Sequence, residues 1–210
     1  MMTRKMISSA MLALPLAAAL LAGCASPEPR YYTLAGSANG APAVNGAPAA
    51  APAPGARPLW IEVAPVRVPE RLNRPQLVVR SGQDGELRLL DQSRWSAPLP
   101  DELRDALSQQ LQARLGALDT YQQGLSGLPD EAPVYRITTE VVRLEASVGE
   151  RASATINWTV RRLPDGKVSA GRTQAELPAP GAVDGVVAAY RQIVSGTADD
   201  IAAGMASLRR

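Results

Sequence analysis

Histidine and phenylalanine are missing from this chain of 210 residues, and cysteine occurs once, at position 24. Without an imidazole, no histidine-based catalytic triad and none of the His-containing zinc sites can be assembled. One thiol cannot close a disulfide within the chain. Lysine is nearly as scarce: Lys5 and Lys167 are the whole supply, and Lys167 ends a Pro-Asp-Gly-Lys turn sequence. No apolar run reaches the roughly 18 to 20 residues that a membrane-spanning helix needs. The N-terminal run, Ala10 to Leu21, stops after 12.

Charge of one sign is not in excess either. Lys and Arg number 22 and Asp and Glu 20, a formal charge of +2, and Arg4 and Lys5 account for all of it. The rest of the chain is neutral on balance, which implies no basic patch for nucleic acid. Bond-making chemistry would fall to carboxylates, hydroxyls and arginine, so a non-enzymatic role with no metal and no cofactor is expected.

What is present begins at the N-terminus. Arg4 and Lys5 form a positive n-region, the apolar run follows, and Leu21-Ala22-Gly23-Cys24 closes it. That is the plan of a secretory signal rather than an anchor helix. The four residues resemble the lipobox of bacterial lipoproteins, in which the small Ala22 and Gly23 admit a signal peptidase. The thiol of Cys24 then carries a diacylglycerol thioether, and its freed amino group takes an N-acyl chain such as palmitate. Residues 1–23 are read as signal and 24–30 as a lipidated tether. Ala25, in place of an aspartate after the cysteine, favours release to the outer membrane by the sorting rule of enteric bacteria.

Removing residues 1–23 leaves 187, enough for one domain with a proper core. Tyr31-Tyr32-Thr33-Leu34 has strand propensity. Residues 35–58 are built mainly from Ala, Pro, Gly and Asn, a composition that cannot bury enough apolar surface to offset its ordering entropy. This stretch is either a tether for the whole domain or a flexible loop inserted after a first strand. Leu59 to Val63 reads as a strand, with Pro65 and Pro69 arguing for an edge position or a bend beyond it. Gln76 to Arg80 and Glu86 to Leu90 read as a hairpin around Ser81 to Gly85.

From Pro98 to Leu115 the apolar spacing becomes helical, with Leu99, Leu103, Ala106, Leu107, Leu111 and Leu115 on one stripe and Gly116 as a stop. Asp101, Glu102 and Asp105 are expected on the solvated side, complementing the helix dipole. Pro133 to Ser147, Arg151 to Leu163 and Val168 to Leu177 read as a three-stranded meander. In its middle strand Ser153, Thr155, Asn157 and Thr159 form a wet face. A second amphipathic helix is expected over Val183 to Leu208, with Asp184, Asp199 and Asp200 exposed. The sum is a single α/β or α+β domain over 31–208, a mixed sheet of about five to seven strands with two main helices.

Tyr31-Tyr32-Thr33-Leu34, the Ile61 to Val68 stretch with its Ala-Pro-Val-Arg-Val core, and Arg74-Pro75-Gln76-Leu77-Val78-Val79-Arg80 together have a familiar form. With Leu90-Asp91, Arg94-Trp95, Pro98-Leu99 and Asp200-Ile201-Ala202, the chain resembles the PqiC-type ABC-type transport auxiliary lipoproteins. The resemblance implies an α/β domain like the anticodon-binding and TolB N-terminal domains. It also implies a periplasm-facing outer-membrane lipoprotein that partners an MCE-domain periplasmic protein, forms ring-like homo-oligomers and supports intermembrane lipid transport and envelope integrity. In that family the Tyr-Tyr-x-Leu strand belongs to the folded domain, which favours the inserted-loop reading of 35–58.

Arg71, Arg74, Gln76, Arg94 and Trp95 are candidates for the partner or self-association surface, since Arg and Trp are enriched among interface hot spots. A different class of envelope lipoprotein, an activator of a peptidoglycan synthase, shares the plan of lipid, linker and small domain. It stands as the alternative.

Overall fold

The computed structural model describes residues 28–36, 58–82, 85–121 and 132–209. In chain order the elements are β1 (Arg30–Tyr32), β2 (Leu59–Val63), a 3-10 turn (Glu70–Leu72), β3 (Gln76–Ser81), β4 (Glu86–Trp95), α1 (Leu99–Leu115), β5 (Ala117–Asp119), β6 (Val134–Ser147), β7 (Arg151–Leu163), β8 (Val168–Pro178) and α2 (Val183–Leu208). The strands form two sheets, one of five in the order β5-β2-β6-β7-β8 and one of three in the order β1-β4-β3. The fold is mixed α+β. The single sheet expected from the sequence is thus divided, because the Pro- and Arg-rich stretch after β2 carries the chain out of the first sheet before β3 begins.

The long meander β6-β7-β8 is antiparallel, while β2 runs parallel to both β5 and β6. Strand β2 is therefore interior, not at an edge. Its prolines lie past Val63, where no ladder hydrogen bond is required of them, and they mark the bend instead. Ala64 N still donates to Ile137 O at 2.9 Å and Arg67 N to Thr139 O at 3.0 Å, so the chain peels off β6 gradually.

Both helices cover one face of the larger sheet. Helix α1 packs on β2 and β5, α2 on β7 and β8, and the two touch each other. The stripe Leu99, Leu103, Leu107 and Leu111 is fully buried, as are Val186, Ile201 and Met205 on α2. Burying each such side chain contributes about 1.5–3 kcal/mol. Helix α1 stops at Gly116, whose φ of +59° is the left-handed cap that glycine adopts without steric cost.

The opposite face of β7 is drier than its polar alternation suggests. Ser153 and Thr155 are buried. Both sit mid-sheet between longer partners: Glu145 and Glu176 flank Ser153, and Arg143 and Gln174 flank Thr155. A small residue between long neighbours is shaded by them.

Candidate functional site

Strand β1 lies in parallel register with the end of β4, Arg30 opposite Ser93 and Tyr32 opposite Trp95. Three residues of pairing hold little by themselves, and the attachment is made by side chains from the helices. Glu102 is buried rather than solvated, and its carboxylate accepts from four donors. The Thr33 hydroxyl and the Leu34 N–H reach Oε2 at 2.7 Å each, while Ala97 N–H reaches Oε1 at 3.1 Å and the Ser96 hydroxyl donates to the same oxygen. From α2, Arg191 donates twice to the Thr33 carbonyl, at 3.1 and 2.8 Å. Arg30 meets Asp184 at 3.2 Å across solvent. Tyr32 and Leu34 complete the attachment by entering the core.

The second buried carboxylate is Asp119. It accepts from Val63 N at 3.3 Å, Tyr121 N at 3.0 Å, the Ser108 hydroxyl at 2.6 Å and the Arg104 guanidinium. Arg104 also reaches the Val63 carbonyl at 3.2 Å and stacks over Tyr121 at 4.9 Å from the ring centre. Both carboxylates are thus surrounded by donors that join elements, a strut's arrangement. Among the described residues no cluster of three potential metal ligands occurs, and no helix is long and apolar enough to cross a membrane.

The candidate surface residues separate into two groups. Arg71 and Arg74 are exposed, on and just after the 3-10 turn. Gln76 and Arg94 are half-buried and face each other across the β3-β4 ladder, where Arg94 Nε caps the Asp91 carbonyl at 3.1 Å. Trp95 belongs elsewhere. It is 6% exposed, with its ring 6.5 Å from that of Tyr190, so it is core and has no free face for a partner. Strand alternation explains the difference, since Arg94 and Trp95 point to opposite sides. Lipobox residues Leu21, Ala22 and Gly23, with Cys24 and Ala25, lie outside the described residues, as does most of 35–58.

Glu102 and Arg104 were not legible as struts, although one signal was available. Glu102 lies three residues after Leu99 and four before Ala106, which places a carboxylate inside the apolar stripe.

Residues 44–202 match the family model described as ABC-type transport auxiliary lipoprotein component. The chain belongs to this family. A search of curated proteins finds no match. Among solved structures, a crystal structure of an uncharacterized protein aligns at 19% identity and a TM-score of 0.59, over 85% of this chain and 99% of that one. A Xanthomonas campestris protein of the DUF330 family aligns at 17% identity and a TM-score of 0.50, over 70% and 82%. At such identities these structures speak for the fold of the auxiliary lipoprotein alone. The family match begins after β1, so Thr33 and Leu34 lie outside the matched residues while Glu102, which holds them, lies within.

Proposed function

We propose that this auxiliary lipoprotein is a non-enzymatic subunit of an MCE/ABC-type intermembrane lipid transport system. In this reading it is anchored in the outer membrane through acyl chains on Cys24, and it docks the periplasm-spanning MCE-domain protein there. The observation that carries the reading is the family match over residues 44–202. The anchor is adequate on energetic grounds: each buried methylene contributes about 0.8 kcal/mol and two chains already hold stably, so a diacylglycerol plus an N-acyl chain makes residence practically permanent. From Cys24 to Arg30 the chain spans about 20 Å at full stretch, which keeps the Arg30 and Asp184 end of the domain close to the bilayer.

The partner or ring-forming surface in this reading is the exposed run Arg71 and Arg74 with the rim of Arg94 and Gln76. These side chains are accessible and sit on a segment braced at both ends, by the Arg67 bridge to Glu140 and by β3. The test is co-purification from membranes with the Arg74→Glu variant. Loss of an MCE-domain partner or of the homo-oligomer, with the melting temperature unchanged, is the expected result. Unchanged assembly would remove this surface from the account, and capture of a penicillin-binding protein instead would favour the synthase-activator alternative.

A further inference from the structure

A cleft of about 720 Å³ opens between the β3-β4 hairpin and the turn joining β6 to β7. Its volume falls in the range of small-molecule sites, yet its walls are charged and hydroxylic rather than apolar. Two of its ion pairs are internal: Arg80 donates to Glu145 at 2.7 Å, and Arg151 lies 3.8 Å from Glu176. The first of these ties the hairpin to β6 and so sets the width of the cleft. Three lining charges have no ion-pair partner among the described residues, namely Arg88, Arg143 and Glu150. Arg143 follows the register shift after Val141, an irregularity of the kind that re-aims a side chain. Glu150 sits in the turn itself, with its N–H on the Ser147 carbonyl at 3.1 Å.

From these two cations and one anion in a hydroxyl-lined cleft, we propose that it binds a zwitterionic phosphodiester. Arg88 and Arg143 take the phosphate and Glu150 the ammonium group. Arginine forks match phosphate oxygens in geometry and charge. Of the lining side chains only Ala146 and Val148 are apolar, too little surface to hold an acyl chain, so a lipid would insert its headgroup only. This goes beyond the transport reading and does not depend on it, because binding needs no partner subunit.

The test is a titration of the purified full chain in neutral detergent with glycerophosphoethanolamine, followed by phosphorus NMR. Glycerophosphoglycerol and inorganic phosphate are the comparison ligands. Saturable binding of the ethanolamine ester, several-fold tighter than that of either comparison ligand, is expected. Arg88→Glu with Arg143→Glu should weaken it about tenfold or more, as the loss of charge-assisted bonds implies. Glu150→Gln should erase the preference over glycerophosphoglycerol. Displacement of the ester by phosphatidylethanolamine in mixed micelles would identify a membrane lipid as the source, and no displacement a soluble diester; both keep the site. No saturable binding, equal binding of inorganic phosphate, or a double variant that melts and binds like the parent would overturn the proposal.

Discussion

Glu102 on α1 holds Leu34, 68 residues earlier in the chain, by a 2.7 Å hydrogen bond from the Leu34 backbone N–H to Oε2. The same oxygen holds the Thr33 hydroxyl, and the other oxygen holds the loop that leads into α1. The segment closest to the proposed lipid anchor is therefore fastened to the helical layer through one carboxylate. Glu102→Ala strands buried donors, each costing about 1–3 kcal/mol when unpaired. The variant should lose about 2–4 kcal/mol in urea denaturation and become trypsin-sensitive at Arg30. Glu102→Gln keeps one acceptor and should fall between parent and alanine.

Arg104 and Asp119 form an ion pair with both side chains at least nine-tenths buried. Breaking such a pair leaves one desolvated charge, so Asp119→Ala should cost about 3–5 kcal/mol. Replacing both together, as Arg104→Met with Asp119→Leu, should cost clearly less than the sum of the single variants in the same denaturation series. Additive losses would argue against a coupled pair.

Trp158 packs closely against two glycines, Gly171 on β8 and Gly204 on α2. A methyl group on Gly171 would overlap its six-membered ring, and one on Gly204 of α2 would stand 2.8 Å from the same ring. Gly171→Ala and Gly204→Ala should each destabilise by about 1–3 kcal/mol through overpacking. In Trp158→Leu, which empties that space, the added cost of either alanine should shrink. A thermal-melt double-mutant cycle reads this coupling.

Burial pushes the Tyr190 hydroxyl well above the ordinary tyrosine range, and the charge of Glu145 adds to the shift. The folded state thus holds this proton more tightly than the unfolded chain. The resulting stabilisation is fully present below the unfolded value of about 10 and is lost as pH rises beyond it toward the folded value. Unfolding free energy should fall by about 1.4 kcal/mol per pH unit in that window, and Tyr190→Phe should remove this slope.

Much of this architecture could be read from residue spacing, and what escaped has physical causes. Helix α2 runs from Val183 to Leu208, the limits its apolar spacing implies, and β6 and β7 end at Ser147 and Leu163 as their alternation indicates. Long periodic segments carry their own signal. Strand β5 is three residues long after a helix stop, and it exists only because β2 offers an edge at Leu59 to Ile61. The separation into two sheets depends on where the chain goes after Val63, which local pattern does not encode. The burial of Trp95 against Tyr190 joins residues from β4 and α2, a tertiary contact that the motif around Arg94 could not reveal.

In the proposed function Cys24 holds this domain in the outer membrane beside an MCE-domain protein. Intact-mass analysis of the membrane-extracted protein, combined with chemical cross-linking of its neighbours, tests both halves at once. The predicted result is a chain beginning at Cys24 that carries a diacylglycerol and an N-acyl group, cross-linked to an MCE-domain partner. An unacylated chain, or a Cys24→Ser variant that stays in the membrane fraction with the same neighbours, would contradict it.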